Sequence, residues 1–149
     1  MASSTTNKCR QLLALGLLDL DTVVLKAMLV TGSYTPDKDH DFVTSITGGT
    51  SKELSGTGYT AGFGGAGRKT LTTPTVVKDD SADKVYLDAD DLTWPAINAG
   101  TVAYIAIIQE VTSDADSPLL AIVDISPDVT TNGGDYDVTW PADGVLNLT

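Results

Sequence analysis

The chain has 149 residues, 42 % of them hydrophobic, and its 20 acidic and 9 basic side chains give a formal net charge of -11. This length predicts one compact domain with a substantial core. No apolar run approaches the roughly 18 residues that a membrane helix needs, and the acidic charge disfavours binding to nucleic acids and anionic bilayers. We therefore expect neither nucleic acid nor membrane among the partners.

The first 17 residues consist of a polar segment followed by a predicted helix. Residues 1–6 are small and polar and are expected to form a flexible arm. Residues 7–16 are predicted to form a short helix, with Thr6 or Asn7 as its N-cap. A helix this short must dock its leucines on the sheet or on another subunit. Its predicted apolar stripe consists of Cys9, Leu12, Leu13, Gly16 and Leu17.

The next segment combines one strand with a long excursion. Residues 23–30 alternate in a way that predicts the first strand. Residues 32–68 are rich in Gly, Ser and Thr and have little periodicity, apart from a possible short helix around residues 42–46. Loops this long inside compact domains usually contact a partner. We therefore expect residues 1–17 and 33–68 to carry the partner contacts.

Two strongly apolar runs, residues 101–108 and 118–125, lie at the centre of the predicted fold. Both are rich in β-branched residues, and the link between them is too short for a crossover helix, so they predict an antiparallel hairpin. Because both runs are apolar on both faces, we expect layers to cover the hairpin from each side. Further strands are predicted at residues 69–77, 84–87, 136–140 and 144–149, and the repeated Thr-Trp-Pro-Ala at 93–96 and 139–142 is interpreted as two strand ends with Trp in the core.

The pattern as a whole predicts a mainly β fold. We expect an antiparallel β-sandwich, jelly-roll or immunoglobulin-like, with about seven or eight strands and one short N-terminal helix. All 149 residues are assigned to this single domain.

A glycine-rich motif at residues 62–67 formally matches G-x-G-x-x-G. A dinucleotide site needs a helix directly after the motif, whereas residues 69–77 are predicted to form a strand. The phosphate-loop pattern would also place Lys where this chain has Arg68. We therefore expect no nucleotide cofactor, and interpret the motif as a pliable loop that adapts to a surface.

No catalytic or metal site is predicted. Asp37 opens a segment like a calcium loop, but Phe42 stands where that loop needs Gly. His40 is the single histidine, and Cys9 lies on the helix stripe, so neither suggests a nucleophile with its base. We expect no enzyme activity. One alternative stays open, namely loop calcium binding by Asp88, Asp90 and Asp91 or by Asp114 and Asp116.

Four aromatic residues fall in the excursion. They could form a surface for a protein or a sugar, although pinning a loop to its own core is the more common role of such residues. The arm, the helix and the excursion together supply the candidate partner contacts: Asn7, Arg10, Tyr34, Phe42, Tyr59, Phe63 and Arg68.

The order of segments along nearly the whole chain resembles a family of small virion proteins of tailed bacteriophages. The segments that carry this resemblance are residues 7–13 (NKCRQLL), 18–30 (LDLDTVVLKAMLV), 33–39 (SYTPDKD), 54–62 (LSGTGYTAG), 87–95 (LDADDLTWP), 102–108 (VAYIAII), 117–124 (SPLLAIVD) and 144–148 (GVLNL). Residues 63–67 make the glycine loop longer than the family pattern, so the role of this loop could be particular to this chain.

The resemblance implies a structural role, as a decoration or cement protein on the outside of the capsid. It implies that the partner is the major capsid protein and that the protein forms a homo-oligomer, with a trimer as the expected form. It also implies a location in the virion after synthesis in the host cytoplasm. Similar small β proteins also occur in tails and fibres. The alternatives are thus a tail or fibre module that recognises the host, and a hydrolase with clustered acids.

Overall fold

The structure is a computed structural model, and it describes residues 1–148. Within this range it contains ten strands and two helices. The helices are α1 (Asn7–Ala14) and α2 (Thr44–Thr47). The strands are β1 (Ala2–Thr5), β2 (Leu25–Val30), β3 (Lys69–Thr70), β4 (Thr75–Asp79), β5 (Lys84–Asp88), β6 (Leu92–Trp94), β7 (Thr101–Gln109), β8 (Leu119–Thr130), β9 (Tyr136–Val138) and β10 (Leu146–Asn147).

The strands form one five-stranded sheet in the order β1-β8-β7-β2-β3, one three-stranded sheet in the order β10-β5-β4, and the ribbon β6-β9. All the pairings are antiparallel, which confirms the predicted mainly β, antiparallel sandwich. The predicted central hairpin is β7–β8, in which Ile105 pairs with Val123.

Both faces of the five-stranded sheet are covered, as predicted. The first core includes Leu25, Ala27 and Leu29 on one face of β2, packed with residues of the other sheets such as Trp94 and Leu146. The second core lies on the opposite face, where side chains of the excursion cover the sheet. Its members are Met28, Val30, Tyr34, Val43, Ile46, Ala106, Ile108, Leu119 and Ile122.

The prediction of a flexible arm at residues 1–6 is wrong. Ala2–Thr5 forms strand β1 at the edge of the five-stranded sheet, where Ser3 pairs with Val123. The hydroxyl of Thr5 also donates to the carbonyl of Asn147 at 2.6 Å. Small polar residues can lie at a sheet edge without apolar alternation, because the backbone supplies the pairing.

The predicted N-terminal helix is confirmed, although α1 ends at Ala14. Thr6 is its N-cap, and the Thr6 hydroxyl accepts the N–H of Cys9 at 3.1 Å. Leu12 and Leu13 pack on the first core, so the helix docks on its own sheet. Leu17 is 67 % exposed and does not belong to the buried stripe.

The single strand predicted at residues 69–77 is two strands in different sheets. β3 pairs with β2, and β4 pairs with β5. Between them Thr73 adopts a φ of 48°, followed by Pro74, and both features interrupt a strand. The predicted β4–β5 hairpin is confirmed, as is a short helix near residues 42–46, observed as α2.

The C-terminal third follows the prediction closely. β6 pairs with β9, and the side chains of Trp94 and Trp140 are 0 % and 7 % exposed, as expected of core residues. β10 forms within the predicted closing strand, whose last residue, Thr149, lies outside the described residues. Neither helix within residues 1–148 is long and apolar enough to cross a membrane.

Candidate functional site

Two short segments of the chain pair with the edge of β2, and a gap separates them. β3 pairs with one end of β2, and Glu53 forms a bridge with Val30. In the gap, the phenol oxygen of Tyr59 accepts the backbone N–H of Leu29 at 3.0 Å. A side chain thus completes the strand edge, and the chain between the two pieces forms a loop that is anchored at both ends.

Arg68 is fully buried and binds three carboxylates. Its Nε and Nη2 donate to the two oxygens of Glu53 at 2.9 and 2.8 Å. Its Nη1 and Nη2 donate to Asp114 at 2.7 and 3.1 Å, and Nη1 also lies 3.1 Å from an oxygen of Glu110. Lys26 donates to the other Glu110 oxygen at 2.5 Å. These five residues are the Arg68 clamp.

The clamp is charged in spite of its burial. Burial by itself would raise the pKa values of Glu110 and Asp114. Hydrogen bonds from Lys26 and Arg68 to Glu110 outweigh this effect, and those from Arg68 and Thr47 to Asp114 do the same. Both pKa values are therefore lowered. Burial likewise opposes the charge of Arg68, yet Glu53 and Asp114 raise its pKa. Arg68, Glu110 and Asp114 therefore remain ionised at neutral pH.

Residues 60–67, here the glycine loop, are closed by a hydrogen bond from the N–H of Gly67 to the carbonyl of Thr60 at 3.0 Å. The indole N–H of Trp94 donates to the Gly67 carbonyl at 2.6 Å. A Cβ on Gly67 would lie 2.5 Å from the ring of Tyr59. This close approach explains why the position requires glycine.

The tip of the glycine loop is a β-turn over residues 62–65. The N–H of Gly65 donates to the carbonyl of Gly62 at 2.9 Å. Phe63 and Gly64 are the central residues, and Gly64 has a φ of 69°, the left-handed value that a type II turn needs at that position. The turn therefore places Phe63 at an outer corner.

Buried carboxylates of the clamp hold this turn on both sides of Phe63. The N–H of Gly62 donates to Glu53 Oε2 at 3.0 Å, and the N–H of Gly64 donates to Glu110 Oε1 at 3.4 Å. The Phe63 side chain itself is 47 % exposed. The arrangement presents an aromatic side chain to solvent on a turn whose backbone is held by two hydrogen bonds, and such preorganisation lowers the entropy cost of binding.

Three of the predicted contact residues are buried in the chain itself. Tyr34, Tyr59 and Arg68 are 3 %, 2 % and 3 % exposed, so the prediction that they contact a partner is corrected. The Tyr34 hydroxyl lies 2.8 Å from Nδ1 of His40. Pinning of the excursion to its own core, the alternative role, is confirmed for Tyr34 and Tyr59.

The other predicted residues are accessible. Asn7 lies at the start of α1, where its amide donates to Asp39 at 2.6 Å. The Nζ of Lys8 lies 5.2 Å above the ring of Phe42, which is half-buried. These contacts attach α1 to the excursion. Contact of Asn7, Phe42, Phe63 and the exposed Arg10 with a partner stays a prediction.

Sequence reasoning missed most of the clamp. Glu53, Glu110 and Lys26 were not predicted as site residues, and Asp114 was considered only for calcium. Arg68 lies 15 residues from Glu53, 42 from Glu110 and 46 from Asp114 along the chain. No local pattern links residues at such separations, so only the fold brings them together.

Of the five carboxylates considered for calcium, those of Asp91, Asp114 and Asp116 have partners within the chain. Asp114 binds Arg68, Asp116 accepts two neighbouring hydroxyl groups, and Asp91 accepts the backbone N–H of Trp140. Across residues 1–148, no three or more His, Cys, Asp or Glu side chains are grouped to hold a metal ion. The clamp is thus an ion-pair network that shapes a loop.

Comparison of the chain with models of known protein families, with curated proteins and with solved structures finds no match. The geometry of the clamp and the glycine loop is therefore the basis for a functional proposal.

Proposed function

We propose that this chain is a structural virion protein of a tailed phage, which binds the outside of the assembled capsid and stabilises it as a decoration or cement protein. The observation that carries the proposal is the presentation of Phe63 on the clamped glycine loop. The order of segments, which resembles small phage virion proteins, gives the partner class.

An exposed aromatic side chain on a hydrogen-bonded turn suits a binding protein. Aromatic residues are enriched among the side chains that dominate protein–protein binding, because they bury a large apolar area with few rotatable bonds. The hydrogen bonds from Gly62 and Gly64 to the clamp fix the loop before binding. Little conformational entropy is then lost on association, which favours affinity.

Several bulk properties support a place on the outside of a shell. The net charge of -11 disfavours adhesion to packaged nucleic acid. Cys9 is a buried free thiol, so packing, hydrogen bonds and ion pairs hold the fold without a disulfide. Across residues 1–148, every buried side-chain nitrogen or oxygen has a hydrogen-bond partner. Such a domain suits a protein that must persist without disulfides.

Binding to the assembled shell would stabilise it by mass action, since a ligand that binds only the assembled state shifts the equilibrium towards that state. In this proposal the partner is the major capsid protein, and copies bound around a symmetry axis of the shell form a homo-oligomer, a trimer at three-fold positions. The role requires no catalysis and no cofactor.

The test is to mix the purified protein with undecorated heads of the phage that encodes it. We expect the protein to sediment with the heads and to raise the temperature at which the shell melts. A heat-denatured sample of the same protein is the control for trapping in the pellet. Failure to bind heads would overturn the decoration role, and adhesion to host cells would then favour the tail or fibre alternative.

A further inference from the structure

Three exposed apolar side chains flank the clamp residue Glu110, namely Val24, Phe63 and Val111, here the Phe63 patch. They are 59 %, 47 % and 50 % exposed. Phe63 precedes Gly64, whose N–H donates to Glu110, and Val111 follows Glu110 directly in the chain. Large apolar side chains exposed next to one another often mark a protein-binding surface.

The strand pattern places Val24 beside the same carboxylate. Leu25 pairs with Gln109, the residue before Glu110, so Val24 lies at the end of β2 that adjoins Glu110. Val23 and Leu25 pack on the first core. Val24 directly precedes β2 and is itself exposed, so its side chain points away from that core.

The chain segments next to Val24 and Val111 contain exposed acidic residues. Asp19 and Asp21 lie in the turn before Val24, and Asp116 lies in the connection after Val111, and all three are exposed. The two cations of the clamp are bound to clamp carboxylates and leave these exposed charges unbalanced. A complementary surface would therefore be apolar at its centre and basic at its rim.

This charge distribution indicates which kind of partner fits the Phe63 patch. A second copy of the chain that used the same face would bring its own acidic residues against Asp19, Asp21 and Asp116, and like charges at an interface oppose binding. A partner with Lys or Arg around an apolar pocket has the opposite charge, so the patch fits a different protein.

We propose that the Phe63 patch is the capsid-binding surface of this protein, with Phe63 inserted into an apolar pocket of the shell protein whose basic rim meets Asp19, Asp21 and Asp116. This inference rests on the proposed function and specifies the residues that perform it. Phe63 is the anchor, Val24 and Val111 exclude water around it, and the Arg68 clamp holds the loop in its binding conformation.

The experiment compares binding of variants to undecorated heads in a co-sedimentation titration. Phe63→Ala is expected to weaken binding about 30-fold or more, the effect typical of a central aromatic anchor. Phe63→Leu, which keeps an apolar side chain, should weaken binding less. Val76→Ala is the matched control, because Val76 is 41 % exposed on β4 and outside the patch. It should bind like the wild type.

The rim is tested separately by the double variant Asp19→Asn/Asp21→Asn. Its binding to heads should be several-fold weaker at low salt, and the difference from the wild type should shrink as added salt screens the charges. Circular dichroism and urea unfolding of each variant verify that the fold is unchanged, as expected for exposed positions.

The outcomes separate the two proposals. If the wild type binds heads and Phe63→Ala binds equally well, the surface assignment is overturned and the decoration role stands. If the wild type does not bind heads, both are overturned. Dimers of the free protein that Phe63→Ala abolishes would overturn the inference in favour of a second copy as the occupant.

Discussion

Two turns of this chain are associated with ion pairs, but the pairs differ in burial. At the glycine loop, the side chains of Arg68 and Glu53 are 0 % and 1 % exposed. At the β4–β5 turn, Lys78 and Asp80 lie 2.9 Å apart, and their side chains are 70 % and 79 % exposed. Removing one partner of a buried pair leaves an uncompensated charge, whereas water solvates the partner left at an exposed pair. The same type of contact therefore fixes one loop and contributes little to the other.

The largest expected effect is that of Arg68→Met. It leaves Glu53 buried without its cation and removes a counterion from Glu110 and Asp114, so we expect a loss of about 3–5 kcal/mol in the free energy of unfolding. Urea unfolding followed by tryptophan fluorescence measures this loss. A loss no larger than that of a surface substitution would show that the clamp does not hold the fold.

Gly67→Ala should have the next largest effect. The added Cβ would lie 2.5 Å from the Tyr59 ring and 2.8 Å from the Thr60 carbonyl, so the loop must shift. We expect a loss of about 1–3 kcal/mol in the free energy of unfolding. Gly32→Ala is the matched control, since its Cβ would meet ordinary contacts at 3.6 Å. Equal stability of the two variants would contradict the packing argument.

Acid should weaken the clamp. The pKa values of Glu110 and Asp114 are lowered in the folded state, so the unfolded chain binds more protons than the folded chain at acidic pH. Their contribution is complete above the ordinary carboxyl range near pH 4 and is lost as pH falls through the lowered pKa values. Unfolding free energies measured from pH 7 to pH 2.5 test this.

Asp114→Asn provides the comparison for the acid titration. The variant lacks one of the two clamp carboxylates whose pKa is lowered, so its stability should change less steeply with pH below about 4. An identical pH dependence of wild type and variant would show that Asp114 does not contribute to the acid response.

The smallest expected effect is that of Lys78→Met at the β4–β5 turn. The Lys78–Asp80 pair is exposed on both sides, so its loss should leave the midpoint of urea unfolding unchanged within error. Measured beside Arg68→Met under the same conditions, it tests the contrast between the two turns directly. A clear loss of stability here would mean that burial does not account for the contrast.

The course of the chain was predictable where local pattern and tertiary packing agree. The β7–β8 hairpin, α1 and the buried tryptophans follow from apolar runs, helical spacing and turn residues. Strand β1 was not predicted, because residues 2–5 carry no apolar alternation and their pairing depends on β8. The division between β3 and β4 was not predicted either, because it depends on pairing with two different partners, β2 for β3 and β5 for β4.

The candidate site shows a sharper division. The sequence predicted that the excursion, with Phe63 in it, contacts a partner, because a long glycine-rich loop with aromatic residues is unusual inside a compact domain. It did not indicate which aromatic residue is exposed. Tyr59 and Phe63 are four residues apart, yet one is 2 % and the other 47 % exposed. The buried hydroxyl of Tyr59 accepts the backbone N–H of Leu29 and donates to Glu53.

The sequence by itself thus determined the mainly β class, the central hairpin, the acidic surface and the position of the excursion, since each depends on composition or short-range periodicity. Only the tertiary structure decided that Arg68 is a buried clamp and not a contact residue. Its partners lie 15 to 46 residues away in the chain, and burial together with ionisation depends on their simultaneous presence. A charge becomes structural when the fold surrounds it with counterions, and no local pattern encodes that environment.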